Sequence, residues 1–262
     1  RLREACRYSL LGPGKRLRPI LCLLACEALG GDRHIAMPFA VSLEMIHCYS
    51  LIHDDLPAMD DDDLRRGRPT SHIQFDESTA ILAGDALQCL AFETVLRAEL
   101  PPERLVDACQ LLSRAAGAEG MVAGQMDDLW AEKHGGDAAL LASIHARKTG
   151  AMIRASVQLG VVAAGGTAKD QEIMSGYGES IGIAFQIADD LLDVESSVEN
   201  TGKRTGKDQE RGKLTYPAIH GIAASREKAE RFVAQAVELL SVYGSKAAPL
   251  QQLARYIIDR SH

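Results

Sequence analysis

Several things are scarce in this chain, and each scarcity removes a class of protein. Aromatic residues make up only 5% of the 262 residues, while 46% are hydrophobic, so a substantial core is expected with little aromatic content. Positive charge is not in excess: the formal net charge is -7, which leaves no overall basic footprint and argues against general nucleic-acid binding. The six cysteines (Cys6, Cys22, Cys26, Cys48, Cys89, Cys109) lack the CxxC spacing of a zinc site. They read as buried free thiols of a cytoplasmic protein. No apolar run reaches the ~18 to 20 residues of a membrane span, and no signal peptide is visible. The chain begins at Arg1 rather than methionine, which points to a missing N-terminal segment. There is no GxSxG or Ser-His-Asp arrangement. There is also no repeat, no low-complexity linker and no convincing run of alternating strands.

What the chain does have is aspartate. Asp54 and Asp55 close a long apolar segment, and Asp60 to Asp63 follow after Leu56, Pro57, Ala58 and Met59. Like charges at such spacing destabilise one another, and desolvating them unpaired costs far more. Hard divalent cations take oxygen ligands, and Mg2+ commonly joins one or two carboxylates to substrate phosphates. Arg65, Arg66 and Arg68 come directly after, and guanidinium groups bind phosphate through paired hydrogen bonds. Acid for a metal beside base for phosphate suggests a diphosphate held through Mg2+. A second acidic stretch, FQIADDLLD, spans Phe185 to Asp193. Asp189 and Asp193 are four residues apart and share a helix face. Two such stretches, distant in sequence, can face each other across one cavity. An EF-hand is excluded for the Asp60 run, because Arg65 stands where its glycine is needed and Leu64 at its fifth position.

Taken in order, the periodicity predicts helices over residues 2–11, Leu17–Leu29, Ile35–Asp55, Glu77–Leu100, 103–117, 118–132, Ala138–Ala164, Gln171–Val194, 215–240 and 246–260. Gly, Pro and polar clusters punctuate them. The GPGK turn before the second helix is no P-loop: Arg16 occupies the Ser/Thr position and Ser9 the first glycine position. His47 lies seven residues before Asp54 on the same face of an apolar helix, where a histidine is ordinarily a core residue. Gln125 and Asp128 lie three apart, suited to a cavity wall or to the surface. Lys148 sits in an apolar helix, which is costly for an unpaired lysine. Residues 195 to 212 carry Lys203, Arg204, Lys207 and Arg211 and read as a loop over an anionic site or a solvated loop. The fold class is all-α: one domain over residues 1–262, a bundle of about ten helices around a central cavity.

At this point the sequence resembles a known family. DDLPAMD (Asp54 to Asp60) has the form DDxxxxD and DDLLD (Asp189 to Asp193) the form DDxxD. They resemble the two aspartate-rich motifs of the short-chain trans-isoprenyl diphosphate synthases. GKRLRP (Gly14 to Pro19), HARKTG (His145 to Gly150) and GKRTGKD (Gly202 to Asp208) match that family's pattern in the family's order. The likeness is to bacterial farnesyl diphosphate synthases in particular, and it covers nearly the whole chain.

The resemblance implies an isoprenoid-synthase-type fold, a homodimer and an activity. Isopentenyl diphosphate condenses head-to-tail with dimethylallyl or geranyl diphosphate and pyrophosphate is released. Asp54, Asp60 and Asp189 would hold Mg2+, about three ions bound together with diphosphate, with Asp55, Asp190 and Asp193 as secondary ligands or orienters. Arg65, Lys148 and Lys203 would grip the allylic diphosphate. Lys15, Arg18, His47 and Arg66 would hold isopentenyl diphosphate. Thr149 and Gln186 would bring oxygens near the developing cation. Tyr49 lies five residues before Asp54, about 7.5 Å along the helix at ~1.5 Å per residue, and Ser50 sits four before it. A ring at that depth can stop the growing chain, and in the family a large aromatic there goes with the fifteen-carbon product. The alternatives are a geranylgeranyl or longer-chain synthase, a class I terpene cyclase, and a non-catalytic synthase subunit. DDLLD and GKRLRP speak against the cyclase, and the intact aspartates against the subunit.

Overall fold

The computed structural model of the chain describes residues 1–198 and 213–259. The elements are α1 (Leu2–Leu10), α2 (Leu17–Ala28), α3 (Arg33–Asp54), a two-residue strand pair β1 (Leu64–Arg65) and β2 (Arg68–Pro69), α4 (Ser71–Gln74) and α5 (Glu77–Val95). Then come α6 (Pro102–Ala116), α7 (Met121–His134), α8 (Ala138–Ile144), a wide π-type turn at His145–Gly150, α9 (Ala151–Ala164) and α10 (Ala168–Val198). After residue 212 follow α11 (Tyr216–His220), α12 (Ile222–Leu239), a 3₁₀ stretch (Leu240–Ala247) and α13 (Ala248–Asp259). The all-α bundle expected from the periodicity is what forms.

The architecture turns on α9. Apart from Arg154, Gln158 and Ala164 its residues are buried, as a helix apolar all round must be. It packs against α2, α3, α6 and α10. On one side of it α3 lies on α5, and on the other α10 lies on α12 and α13. The two aspartate-rich stretches therefore arrive on helices that α9 holds apart. By length and mean hydropathy alone α3 would also pass for a membrane-crossing helix, an exception to the expectation that no run is long enough. Its apolar surface is instead spent inside the bundle, where Phe39, Leu43 and Ile46 are fully buried.

Several boundaries differ from the sequence expectation for local reasons. The long helix expected from Ala138 to Ala164 is broken by the π-type turn, which carries HARKTG. α10 begins at Ala168 rather than Gln171. Thr167 and Asp170 cap its start reciprocally, the Thr167 hydroxyl donating to Asp170 Oδ2 at 2.6 Å and the Asp170 N–H donating back at 3.2 Å. The segment expected as one helix over 215–240 is split at Gly221, whose φ of 81° no helix accommodates. Four cysteines are buried as expected, but Cys89 is exposed and Cys109 half-buried, and all six are free.

The long α10 is pinned to the C-terminal helix by one buried hydrogen bond. Tyr177, fully buried, donates from its hydroxyl to the Leu250 carbonyl at 2.8 Å. Tyr177→Phe leaves that carbonyl without its partner, and the expected loss is about 1–3 kcal/mol of stability. Thermal unfolding should show a midpoint lowered by roughly 2–4 °C per kcal/mol. An unchanged midpoint would mean that the bond contributes nothing to the docking of α13.

Candidate active site

The last turns of α3 supply one wall of the site. After Asp55 the chain folds back on the helix end: the Asp60 N–H donates to the Asp54 carbonyl at 2.8 Å and the Asp62 N–H to the Asp55 carbonyl at 3.2 Å. This reversal brings the first and last carboxylates of DDLPAMD together. The strand pair follows immediately. Its two central residues, Arg66 (φ 53°) and Gly67 (φ 76°), both adopt the left-handed conformation that a tight two-residue hairpin with matching twist requires.

That hairpin sends three arginines to three places. Arg65 turns back onto Asp55, its Nε 2.7 and 2.9 Å from the two carboxylate oxygens and its Nη2 2.6 Å from Oδ1. Arg66 donates to the Pro13 carbonyl of the GPGK turn. Arg68 lies 4.0 Å over the Tyr8 ring. Behind the GPGK turn, Arg16 in left-handed geometry pairs with buried Glu44 and donates to the Gly12 carbonyl. That strut leaves Lys15 and Arg18 facing inward.

Across from α3 stand α7, the π-type turn and α10. Together these walls enclose a cavity of ≈ 900 Å³. It brings together Lys15, Arg18, His47, Tyr49, Ser50, Asp54, Arg65, Arg66, Lys148, Thr149, Gln186 and Asp189, all expected site residues. Asp60 adjoins this wall through its bond to the Asp54 carbonyl. Lys203 lies outside the described residues. Asp190 does not face the cavity: it is buried behind the wall, accepting from the Tyr216 N–H at 2.9 Å and from Gln186 Nε2 at 3.4 Å. Asp55 is likewise buried and serves Arg65. Asp55 thus holds Arg65, and Asp190 holds Gln186 and the Tyr216 backbone.

The charges show the cost of assembling the site. Burial pushes Asp54 up to about 6; Asp60 and Asp55 act the same way, and Lys148 and Arg65 oppose them. His47 is pushed well below its ordinary range, first by burial and then by Arg18, Arg66, Arg65 and Arg16. It is neutral at pH 7 and able to accept or donate one hydrogen bond at each ring nitrogen. Burial lowers Arg18, while Glu44 and Asp189 act against that shift. Arg18 Nε and both amide atoms of Gln125 are buried without a partner among the described residues, and Arg18 and Gln125 line the cavity. Buried donors and acceptors are normally satisfied, so these groups are set for something that enters. Gln125 thus belongs to the wall, and Asp128 holds Lys148 at 2.6 Å. Gly124 permits this: a Cβ there would stand 2.2 Å from the Lys148 backbone nitrogen.

Asp54, Asp60 and Asp189 offer oxygen alone, which suits Mg2+. Among the described residues no three His, Cys, Asp or Glu side chains form a metal cluster by themselves. The donor set fits an ion whose remaining ligands are substrate oxygens. Three features escaped the sequence: the Arg16–Glu44 strut, the Lys148–Asp128 pair and His53, which lines the cavity beside Asp54. His53 had a local signal in its position next to the first motif, and Lys148 one in its need for a partner, which the sequence did not name.

Known proteins resemble this chain in sequence and fold. A family model described as polyprenyl synthetase matches residues 1–255. Geranylgeranyl pyrophosphate synthase 9, chloroplastic, of Arabidopsis thaliana is 51% identical over 266 residues, covering 99% of this chain and 74% of that relative. Dimethylallyltranstransferase of Fischerella ambigua is 46% identical, covering 100% and 77%. Among solved structures, an FPP/GFPP synthase from Zymomonas mobilis superposes with a TM-score of 0.90 at 41% identity, covering 98% of this chain and 88% of the other. A geranyltransferase from Legionella pneumophila gives 0.89 at 37%, covering 99% and 87%. The chain belongs to the polyprenyl synthetase family, prenyltransferases that join isopentenyl diphosphate to allylic diphosphates.

Proposed function

We propose that this protein is a farnesyl diphosphate synthase, extending dimethylallyl and geranyl diphosphate by isopentenyl units and stopping at fifteen carbons. The observation that carries the product length is Tyr49: its ring is buried, 5% exposed, and forms part of the cavity wall below Asp54. The rival reading, a geranylgeranyl diphosphate synthase, is favoured by the name of the Arabidopsis relative. A twenty-carbon product would have to pass the Tyr49 ring, and that ring supports the shorter reading.

The chemistry requires the allylic carbon–oxygen bond to break, with its electron pair leaving on the diphosphate. Lys148 and Lys203 hold that diphosphate, and Arg65, tethered by Asp55, adds positive charge at its edge. Lys15, Arg18, His47 and Arg66 hold isopentenyl diphosphate on the other side. Arg18's unpartnered Nε supports that assignment. Asp54, Asp60 and Asp189 would hold Mg2+, which when bound adds the positive charge that stabilises the leaving group. Thr149 and Gln186 turn oxygens toward the carbon that becomes cationic. The isopentenyl double bond attacks that carbon, forming the new carbon–carbon bond, and the proton then lost goes to the departed pyrophosphate. No side-chain base is needed.

The functional unit in this reading is a cytoplasmic homodimer. Ile81, Leu82 and Leu90 on α5 and Val106 on α6 are exposed. Apolar side chains exposed on neighbouring helices suit an interface between two copies.

The two diphosphate sites should separate kinetically. Arg18→Ala should raise the KM for isopentenyl diphosphate about ten- to a hundredfold, the equivalent of roughly 1.5–3 kcal/mol for one charged hydrogen bond. The KM for geranyl diphosphate should barely move. Lys148→Ala should reverse that order and also lower kcat. Equal effects of each substitution on both substrates would reject the assignment. Tyr49→Ala should shift the main product from farnesyl to geranylgeranyl diphosphate, read by chromatography of the dephosphorylated products. An active, folded variant that still stops at fifteen carbons would remove Tyr49 from the floor.

A further inference from the structure

Tyr49 has a second ring beside it on the α3 wall of the cavity, that of His53. The His53 ring lies edge-on to it, the centroids 5.8 Å apart at 76°. His53 lines the same cavity. Its position is fixed from behind by α5. Nε2 stands 3.1 Å from the Ile81 carbonyl, so the tautomer with a proton on Nε2 donates there. Asp85 Oδ1 lies 4.0 Å from the same nitrogen. The ring occupies a notch made by the absence of a side chain at Gly84. A Cβ at that position would stand 2.1 Å from Nε2, 2.6 Å from Cδ2 and 2.8 Å from Cε1 of His53. Real contacts of that length do not occur, so any residue but glycine there must displace the ring. The neighbouring α5 positions Ala80 and Ala83 are small and fully buried.

We infer that His53, seated in the Gly84 notch, is a positioning residue for product length: it holds the Tyr49 ring across the path of the growing chain. The inference rests on the reading of Tyr49 as the cavity floor and deepens it. A ring in a core is free to change rotamer unless its neighbours fill the space it would move into. Tyr49 is blocked on the His53 side by a ring that is itself hydrogen-bonded to main chain. Without His53, the notch at Gly84 and the space of the imidazole become one pocket beside Tyr49. The Tyr49 ring can then swing aside and an isoprenoid chain can pass. The device is local, so it acts on where the hydrocarbon ends rather than on how the diphosphate is held.

The test measures the ratio of twenty-carbon to fifteen-carbon product at matched total conversion, so that a slower variant is compared fairly. The variants are His53→Ala, His53→Leu, His53→Gln, Gly84→Ala and Tyr49→Ala, each checked for folding by thermal melting. His53→Ala should raise the ratio by about an order of magnitude, and adding it to Tyr49→Ala should give little further change, because both open one path. His53→Leu keeps bulk without the hydrogen bond and should raise the ratio too, whereas His53→Gln keeps an amide donor toward Ile81 and should return it to the parent value. Gly84→Ala should raise it by evicting the imidazole. If His53→Ala or Gly84→Ala does not fold, the comparison of the leucine and glutamine variants decides. A ratio unmoved in the folded His53 variants, with Tyr49→Ala still shifting it, overturns the role of His53 and leaves the floor intact. A ratio unmoved in Tyr49→Ala as well overturns the floor itself.

Discussion

A half-buried cavity here must hold like charges close together, and the rest of the site is arranged around that constraint. Asp54 and Asp60 come from one wall and Asp189 from the other, with burial already lifting Asp54 to about 6. Such a group is stable only with cations near it. The chain supplies them already tethered. Asp55 holds Arg65, Asp128 holds Lys148 and Glu44 holds Arg16, so positive charge stands at fixed places around the cavity. Pre-set charges of this kind cost little reorganisation when a leaving group becomes negative.

The helices give these charges their spacing. α9, buried nearly all round, keeps α3 and α10 apart and so sets the cavity width. Irregular backbone does the aiming. A left-handed Arg16 starts α2, a left-handed Arg66 turns the hairpin, and a π-type turn interrupts the run from α8 to α9 to present Lys148 and Thr149. Single π turns inside helices often mark functional sites. Below them the Tyr49 and His53 rings meet edge-on, and His53 reaches the Ile81 carbonyl of α5.

Much of this was legible in the sequence because it repeats at helical spacing. DDxxxxD, DDxxD and the apolar stripes name the helices and the acidic walls, and nearly all the expected site residues meet in one cavity. What the sequence hid is of another kind. The Arg16–Glu44 and Lys148–Asp128 pairs join residues 28 and 20 positions apart, and no periodicity links them. The hairpin is two residues per strand, too short for alternation to show. The π turn has the composition of an ordinary helix. Asp190 belongs to the motif by spacing, yet the structure turns it away from the cavity onto the Tyr216 N–H. His53 sits beside the motif, but the notch its ring occupies is made by a glycine 31 residues later.

The central claim is that the facing aspartates and a diphosphate complete one Mg2+ site together. Calorimetric titration with a non-ionising thio analogue of geranyl diphosphate, in Mg2+ and in EDTA, tests it most directly. Binding should be at least about a hundredfold tighter with Mg2+, a difference of roughly 2.7 kcal/mol, and most of that gain should be lost in Asp189→Ala. Equal affinity in EDTA, or an Asp189→Ala variant that keeps the full Mg2+ gain, would contradict it.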